Sequence, residues 1–332
     1  MKSQIQNKTC WVITDGKAGC IRQAEGLATA LGVRFNTKLV KTKFRIPLYP
    51  SWVRKKMLNF ISKDSDQLSE PWPDIAISCG SSTIPLMLNI KKENSGKTYI
   101  IYVQNPKQSL KNFDTVIVME HDRITAKNTI QTDMALHPIT KDSLTKAKKE
   151  IQKLLPSVSN YENAVIIGGN TTRSKMTEDT CLDLIDKIKF IRNNNKGGLF
   201  ISPSRRTPSR MIELLNQNFG KEKDIYIVNL QVPYNPYFGI LSIVKKIFVT
   251  NDSVSMISEA CSTGKQAFII PLKNFKLGKT GIFINNILKK SLVANFTDKP
   301  QNNPINNNTQ LIAELLKERM IKSGKFKNED FL

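Results

Sequence analysis

Histidine and paired cysteine are scarce in this sequence of 332 residues, which has two histidines and five cysteines but no CxxC pair. Structural zinc sites need clustered His and Cys ligands, so we expect no metal site. Four of the cysteines lie within or beside apolar runs, which is typical of reduced core thiols in a cytoplasmic protein. The cysteines are Cys10, Cys20, Cys79, Cys181 and Cys261, and the histidines are His121 and His137.

Long apolar runs are also absent. No stretch approaches the roughly 18 consecutive apolar residues of a membrane-spanning helix, and the chain opens on the polar segment MKSQIQNK. The sequence therefore predicts a soluble cytoplasmic protein without an export signal. A chain of this length accommodates two domains, each with its own core.

Acidic residues are few relative to basic ones, because 28 Asp and Glu stand against 50 Lys and Arg, a formal net charge of +22. Such a charge favours anionic partners such as phosphates, nucleic acid or an acidic membrane face. The alternative is that it reflects a composition rich in Lys and Asn along the whole chain. Aromatic residues in an RNA-recognition pattern and a helix-turn-helix pattern are both lacking, so we expect no nucleic-acid partner.

Nine short apolar or β-branched runs alternate with helical patterns along the chain. Such near-continuous runs suit strands that are covered on both faces, and their alternation with helices predicts doubly wound parallel sheets. The runs lie at 9–14, 74–79, 98–103, 114–119, 163–169, 198–203, 224–230, 246–250 and 266–271, and the main helical patterns at 20–31, 82–92, 177–193, 208–218, 254–263 and 309–322.

A break in this pattern marks a domain boundary. Between residues 138 and 160, a Lys-rich helical stretch ends in the segment PSVSN. We predict an α/β fold of two doubly wound, Rossmann-like domains that face a cleft, over residues 1–150 and 160–300. The remaining residues, 301–332, are predicted to form a loop and a closing helix that packs on one domain or the other.

The segment TNDSVSMISEACSTGK at 250–265 crowds serines and acids into the first turns of a predicted helix. On a helical projection, Asp252, Ser255 and Glu259 share the side away from the apolar stripe. Asp252 or Ser253 can cap the helix, which leaves first-turn N–H groups to bind a phosphate oxygen. Glu259 could then accept hydrogen bonds from ribose hydroxyls. Ordinary capping with a solvated Glu is the simpler alternative.

The end of this helix adds to the pattern, because Thr263-Gly264-Lys265 follows Glu259. A Ser-rich turn that opens a helix, an acidic residue and a small-Gly-Lys end together resemble the nucleotide-sugar-binding segment of GT-B glycosyltransferases.

Eight segments, spanning roughly residues 11 to 270, extend this resemblance to a narrower family. They are WVITDGKAGCIRQAEGLATALG (11–32), AISCGSSTIP (76–85), VQNPK (103–107), FDTVIVMEHD (113–122), ALH (135–137), IIGGN (166–170), ISPSRRTP (201–208) and VTNDSVSMISEACSTGK (249–265). In this order they look like the mitochondrial fission proteins named for elongated mitochondria, together with bacterial relatives that are thought to be glycosyltransferases.

The resemblance implies a GT-B glycosyltransferase that works without metal or cofactor. It would move a sugar from a nucleotide-sugar donor, held by the second domain, to an unknown acceptor, lipid-linked or part of an envelope glycan, presented by the first. The fission role of the family's plant members implies an alternative, a non-catalytic membrane-associated factor.

The strand-to-helix turns of the first half supply candidates for proton transfer and for the acceptor side. An attacking acceptor hydroxyl needs a general base, and His121 and Asp122 in EHD are candidates, with Asp15 in DGKAG as a rival. The family carries His where this chain has Cys20, which puts a proton-transfer role at that position in doubt. Plain turns and capping are the alternatives for these motifs. The acceptor-side or cleft-lining candidates are Gly16, Lys17, Gln23, Gly80, Ser81 and Gln104.

The corresponding loops of the second half, IGGN and SPSRRTP, supply candidates for donor binding. Without a metal, a leaving nucleoside diphosphate must be stabilised by Arg, Lys and helix N-termini, and Arg205 and Arg206 fit that role. We expect only one of the two to face phosphate, and the alternative is that one simply pairs with a surface acid. The donor-binding candidates are Gly169, Asn170, Ser204, Arg205, Arg206, Ser253, Ser255, Met256 and Glu259.

The segment PSWVRKKMLNFI at 50–61 alternates apolar residues with Arg54, Lys55 and Lys56. Its spacing favours a helix that covers the first sheet. The alternative is that this segment makes peripheral contact with an anionic membrane. The protein would then reside on the inner face of that membrane.

Overall fold

The computed structural model describes residues 4–41, 61–155, 160–172, 174–231, 235–299 and 307–331. The chain divides into two compact units. The first comprises Met1–Pro138 and Asn307–Leu332, and the second comprises Ile139–Asn306. The segment 50–61, read as a covering or membrane-contacting helix, lies outside the described residues except for Ile61.

The first unit is a six-stranded parallel sheet with flanking helices. Its strands run in the order β2-β1-β3-β4-β5-β6. The elements are β1 (Cys10–Thr14), α1 (Ala18–Leu31), β2 (Phe35–Leu39), β3 (Ile75–Cys79), α2 (Ile84–Glu93), β4 (Tyr99–Val103), β5 (Thr115–Met119) and β6 (Thr129–Thr132).

The second unit repeats this plan, with the strand order β12-β11-β10-β7-β8-β9. Its elements are α3 (Lys141–Leu154), β7 (Tyr161–Ile166), α4 (Glu178–Asn194), β8 (Gly198–Ser202), α5 (Ser209–Phe219), β9 (Ile225–Ile227), α6 (Tyr237–Ile243), β10 (Lys246–Thr250), α7 (Val254–Cys261), β11 (Gln266–Ile270), α8 (Lys279–Lys289) and β12 (Ala294–Asn295). The two doubly wound parallel sheets confirm the predicted α/β, Rossmann-like fold class.

The central strands form because their side chains are apolar on both faces. Every residue of β1, β3, β4 and β8 is buried, as expected for parallel strands with helices on each side. In the first unit, one face packs on α1 and the other on α2, so that two apolar clusters enclose the sheet. The chain leaves α1 at Gly32, whose left-handed φ of +78° closes the helix.

The division between the units falls between Pro138 and Ile139, so helix α3 lies in the second unit. The buried side chains of α3 are Ala147 and Ile151. A Cβ built on Gly239 of α6 would lie only 2.7 Å from Cβ of Ile151, so the two helices pack closely. The apolar stripe of α3 therefore belongs to the core of the second unit.

The C-terminal helix α9 (Asn308–Lys322) belongs to the first unit, which settles the alternative left open by the sequence. It packs against α1, and Ile312, Leu316 and Met320 join the same apolar cluster as that helix. At its start, the Thr309 hydroxyl accepts a hydrogen bond from the backbone N–H of His137 at 3.0 Å. The helix thus completes the first core.

His137 gives the first unit a predictable dependence on pH. Burial lowers the pKa of its imidazole to about 4, whereas the unfolded chain binds the proton near pH 6.5. The native state therefore keeps its full stability above pH 6.5 and loses it as the pH falls towards 4, because protonation favours unfolding. We expect a loss of about 2 kcal/mol between pH 7.5 and pH 5 from this group.

Tryptophan fluorescence during urea unfolding can measure this loss, because Trp11, Trp52 and Trp72 all lie in the chain of the first unit. His137→Gln should flatten the dependence between pH 5 and 7.5, and His121→Gln should retain it. Equal slopes in the two variants would contradict the assignment to His137.

Candidate functional site

The candidate residues lie mainly at the switch points of the two sheets. In an open parallel sheet, a crevice forms where the connections of neighbouring strands lead in opposite directions, and helix N-termini converge there. In the first unit the carboxyl ends of β1 and β3 form this point, and in the second the ends of β7 and β10. DGKAG and SCGSST follow β1 and β3, while IGGN and the start of α7 follow β7 and β10.

Asp15 is the centre of the first-unit site. One of its carboxylate oxygens accepts hydrogen bonds from the Ser82 hydroxyl and from the Lys17 ammonium. The other oxygen accepts the backbone N–H of Lys17 at 3.3 Å. Gly16 permits this tight turn, because its φ of +89° lies in the left-handed region. Three predicted residues, Asp15, Gly16 and Lys17, are thus brought together with Ser82.

These contacts keep Asp15 ionised. Burial alone would raise the pKa of Asp15, but the hydrogen bonds from Lys17 and Ser82 outweigh it and hold the pKa below its ordinary value. The same hydrogen bond to Asp15 raises the pKa of Lys17. The site therefore presents a carboxylate and an exposed ammonium at neutral pH. A general base must be in the carboxylate form, although a low pKa makes it a weak base.

Gly80 and Gln104 end two neighbouring strands, β3 and β4, with φ angles of +106° and +90°. A non-glycine residue in this region is strained, and such positions cluster at functional sites. Ser81 is exposed beside Gly80. Gln23 is buried, and its amide donates to the carbonyl of Gly19 at 3.2 Å. The amide of Gln23, an acceptor-side candidate, therefore bonds to the backbone of its own helix.

His121 and Asp122 lie in a short 3-10 turn, Glu120–Asp122, that follows β5. Both are half-buried. In the sheet order β3 and β4 separate β5 from β1, so the strands that carry these residues and Asp15 are about 14 Å apart at the usual strand spacing. Asp15 lies at the switch point, and the EHD turn lies towards the edge of the sheet.

Two cysteines that the sequence did not connect also meet at the first switch point. Cys79 is the last residue of β3, and Cys20, in the first turn of α1, packs against the apolar cluster that contains Cys79. A Cβ built on Gly80 would lie 3.5 Å from the Cys20 Sγ and 3.8 Å from Asp15 Oδ1. No local sequence motif predicts this pair, because the two cysteines lie far apart in the chain and only the strand order brings them together.

Asp252 is the centre of the second-unit site, and its side chain is fully buried. Oδ2 accepts the backbone N–H of Gly169 at 3.0 Å and Nη2 of Arg206 at 2.9 Å. Oδ1 accepts the Thr250 hydroxyl at 2.6 Å. Asp252 therefore does not cap α7, and Ser253 does. The N–H of Gly169, one of the donor-binding candidates, is thus already occupied by this internal carboxylate.

The two adjacent arginines have different surroundings. Arg206 also donates to the backbone carbonyls of Gly169 at 3.3 Å and Asn170 at 3.1 Å. Arg205 is exposed, and its guanidinium has no hydrogen bond or ion pair with the part of the chain that the structure describes. The alternative was that one arginine pairs with a surface acid; Arg206 does pair with an acid, but that acid is the buried Asp252.

Ser204 and Asn170 tie the second-unit loops together. The Ser204 hydroxyl donates to the carbonyl of Gly168 at 2.6 Å. Oδ1 of Asn170 accepts the backbone N–H of Met176 at 2.8 Å. A Cβ on Gly169 would lie 2.1 Å from the backbone oxygen of Arg206, so these loops touch through their backbones. The side chains of Ser204 and Asn170 therefore hold the loops of the site in place through hydrogen bonds within the protein.

The first turn of α7 retains donors for a ligand. The Ser253 hydroxyl accepts the N–H of Met256 at 3.5 Å and so caps the helix. The N–H groups of Val254 and Ser255 donate to no group among the described residues. The side chains of Ser255 and Met256 are half-buried. Orphan amides at a helix start carry partial positive charge and bind anions.

Glu259 does not lie on a solvated face of α7 as predicted. It is only 1% exposed, and Oε2 accepts the hydroxyl of Tyr237 in α6 at 2.7 Å. The helical projection failed because α7 is buried beyond its apolar stripe. Ser258, for example, is also fully buried.

The sequence of this chain is similar to a family model and to other known proteins. A family model described as mitochondrial fission ELM1 matches residues 18–320. An uncharacterized protein, RP120, of Rickettsia prowazekii is 28% identical over 328 residues, which cover 87% of this chain and 90% of that protein. The mitochondrial fission protein ELM1 of Arabidopsis thaliana is 29% identical over 248 residues, 68% of this chain, and the match covers only 57% of that protein.

Solved structures share the fold. The UDP-GlcNAc 2-epimerase of Neisseria meningitidis, bound to UDP-GlcNAc, superposes with a TM-score of 0.52 at 12% identity, covering 93% of this chain and 99% of that chain. MnaA of S. aureus with UDP gives a TM-score of 0.51 at 12% identity, covering 98% and 91%. These likenesses confirm the predicted GT-B type of fold.

Two further findings concern what the described residues do not contain. Over these parts of the chain, no helix combines the length and apolarity needed to cross a bilayer. Within the same residues, no group of three or more His, Cys, Asp or Glu side chains is arranged to hold a metal ion.

Proposed function

The chain belongs to the mitochondrial fission ELM1 family, and from this premise we propose that it is a glycosyltransferase that uses a nucleotide sugar without metal. The second unit holds the donor by its diphosphate, and the first unit holds the acceptor. The fold supports this assignment, because structural neighbours with the same fold carry UDP or UDP-GlcNAc.

The observation that carries the proposal is the arrangement of charge at the start of α7. The orphan N–H groups of Val254 and Ser255 supply positive charge at the second switch point, and the unpaired Arg205 adds a cation in the loop after β8, the strand next to β7. A carboxylate here would repel a diphosphate, but Arg206 neutralises Asp252. The net field therefore favours an anion, which is the requirement for stabilising a leaving nucleoside diphosphate without metal.

Glu259 receives no ribose contact in this proposal. Its burial and its hydrogen bond from Tyr237 support a role in fixing α7 against α6. On the acceptor side, Asp15 is the proposed general base, because it lies at the switch point and is held ionised by Lys17 and Ser82. His121 and Asp122 remain alternatives, since they follow a strand of the same sheet.

Thermal unfolding with a panel of ligands tests the donor site. A nucleotide sugar at a hundredfold excess over its Kd should stabilise the native state by about 2.7 kcal/mol, which corresponds to roughly 5 °C or more in Tm for a unit of this size. We expect the shift with UDP-sugars or another nucleoside diphosphate sugar, unchanged by a chelator. Free nucleoside serves as the control, because it lacks the diphosphate. Absence of a shift with every nucleotide at millimolar concentration would contradict the proposal.

The non-catalytic alternative is supported by the net charge of +22 and by the named role of the Arabidopsis relative. In that case the protein binds anionic vesicles at low salt, releases them at high salt, and forms no glycoside. Vesicle sedimentation with and without nucleotide sugar, alongside an assay for released nucleoside diphosphate, separates the two functions.

A further inference from the structure

The first switch point contains a pair of cysteines with unequal access to solvent. Cys20 is half-buried, whereas Cys79 is 1% exposed at the end of β3. The remaining cysteines, Cys10, Cys181 and Cys261, are all buried at 1–2% exposure. Cys20 packs against the apolar cluster that contains Cys79, and its sulfur lies 3.5 Å from a Cβ built on Gly80, the residue that follows Cys79.

The surroundings of the two thiols differentiate them chemically. The neighbouring Cys79 thiol lowers the pKa of Cys20, against the effects of burial and of Asp15, and Lys17 adds to the lowering. Burial raises the pKa of Cys79, and the neighbouring Cys20 thiol raises it further. Reactive cysteines are low-pKa, accessible thiols, often beside a second cysteine that resolves the first oxidation product.

We propose that Cys20 and Cys79 form a redox-active pair in which Cys20 reacts with hydroperoxides and Cys79 closes a reversible disulfide. The Cys20 thiolate attacks one oxygen of ROOH, the O–O bond breaks, and RO⁻ leaves and takes up a proton as ROH. The sulfur of Cys79 then attacks the sulfenic sulfur of Cys20, and the oxygen leaves as water with the thiol proton. The two thiols lose two electrons, which reduce one hydroperoxide.

The disulfide would join the first turn of α1 to the end of β3, directly across the loop that carries Asp15. Gly80, at φ +106°, lies beside this position, since a Cβ there would be in ordinary contact with the Cys20 sulfur at 3.5 Å. The pair therefore makes the conformation of the DGKAG loop responsive to oxidant. This inference does not depend on nucleotide-sugar binding, because neither its geometry nor its test involves a nucleotide.

Mass spectrometry after brief treatment of the native protein with hydrogen peroxide tests the pair. After blocking of free thiols, trypsin releases Cys20 in the five-residue peptide 18–22 and Cys79 in 64–91. We expect these peptides joined in the wild type and separated by dithiothreitol. Cys79→Ser should instead accumulate a sulfenic acid on Cys20 that dimedone traps, and Cys20→Ser should leave Cys79 reduced. Cys261→Ser is the matched control and should form the disulfide as the wild type does.

A second measurement needs no variant. In the native wild type, Cys20 should react with iodoacetamide at pH 7 at least about tenfold faster than Cys10, Cys181 or Cys261. Equal alkylation rates, or oxidation of Cys20 to sulfinic acid while Cys79 remains a free thiol, would overturn the proposal. Because both readouts are independent of nucleotide, their failure would leave the donor-site proposal intact.

Discussion

Gly169→Ala is expected to lower the free energy of unfolding of the second unit by about 3 kcal/mol or more. The added Cβ would lie 2.1 Å from the carbonyl oxygen of Arg206 and 2.2 Å from its carbonyl carbon. Both are backbone atoms, which cannot rotate away as a flexible side chain does. The φ of +152° at Gly169 adds backbone strain for any residue with a Cβ.

The displacement should extend beyond the loop itself. Moving the Arg206 backbone away breaks its hydrogen bond with the N–H of Asn170, at 2.9 Å, and shifts the guanidinium that neutralises Asp252. Clash, strain and loss of this network therefore act in the same direction.

Urea unfolding followed by far-UV circular dichroism measures the effect, with tryptophan fluorescence recorded in parallel as the signal of the first unit. Gly281→Ala in α8 is the control, because its Cβ would meet Leu277 Cβ at an ordinary 3.5 Å. Ala is preferred to Gly inside a helix by about 0.5–1 kcal/mol, so this variant should be neutral or more stable. Equal unfolding midpoints for the two variants would show that the loops do not meet as described.

The sequence predicted the interior of each sheet better than its edges. The nine apolar runs correspond to β1, β3, β4, β5, β7, β8, β9, β10 and β11. The three missed strands, β2, β6 and β12, are all edge strands. An edge strand is partly exposed, and the residues FNTKL of β2 include three exposed positions. Without burial on both faces there is no apolar run to detect.

The position of the candidate site could be predicted from the sequence, but the contacts that each of its residues makes could not. Strand-to-helix turns can be located from local patterns, which is why Asp15, Gly80 and Ser253 fall at switch points. Pairings such as Arg206 with Asp252, or Tyr237 with Glu259, join residues far apart in the chain. These contacts depend on the packing of whole elements, so periodicity alone left Glu259 on the wrong face.

Arg205→Ala should raise the Kd for a nucleoside diphosphate about 10- to 100-fold, while leaving the unfolding midpoint of the free protein nearly unchanged. A charge-assisted hydrogen bond to phosphate contributes about 1.5–3 kcal/mol. Arg205 contributes nothing comparable to the fold, because its guanidinium has no partner among the described residues. Isothermal titration with UDP, or with whichever nucleotide stabilises the wild type, measures the first effect and thermal unfolding the second.

Arg206→Ala should behave in the opposite way. It leaves the buried carboxylate of Asp252 without its cation, which we expect to lower the free energy of unfolding by about 2 kcal/mol, since the 39% exposure of the Arg206 side chain weakens the ion pair. Arg206→Ala should also weaken nucleotide binding, because the charge that neutralises Asp252 is lost. This loss of affinity should therefore appear only together with the loss of stability.

Arg210→Ala is the matched control for charge, because it removes one cation from the same unit and breaks only exposed pairs, with Glu178 and Glu213. If nucleotide binding responded to net charge alone, Arg210→Ala and Arg205→Ala would weaken it equally, and the anion site at the start of α7 would be contradicted. A loss confined to Arg205→Ala, without a change in midpoint, supports direct contact with the diphosphate. The neighbouring arginines would then divide two tasks: Arg206 neutralises the acid that the fold buries, and Arg205 remains available to the ligand.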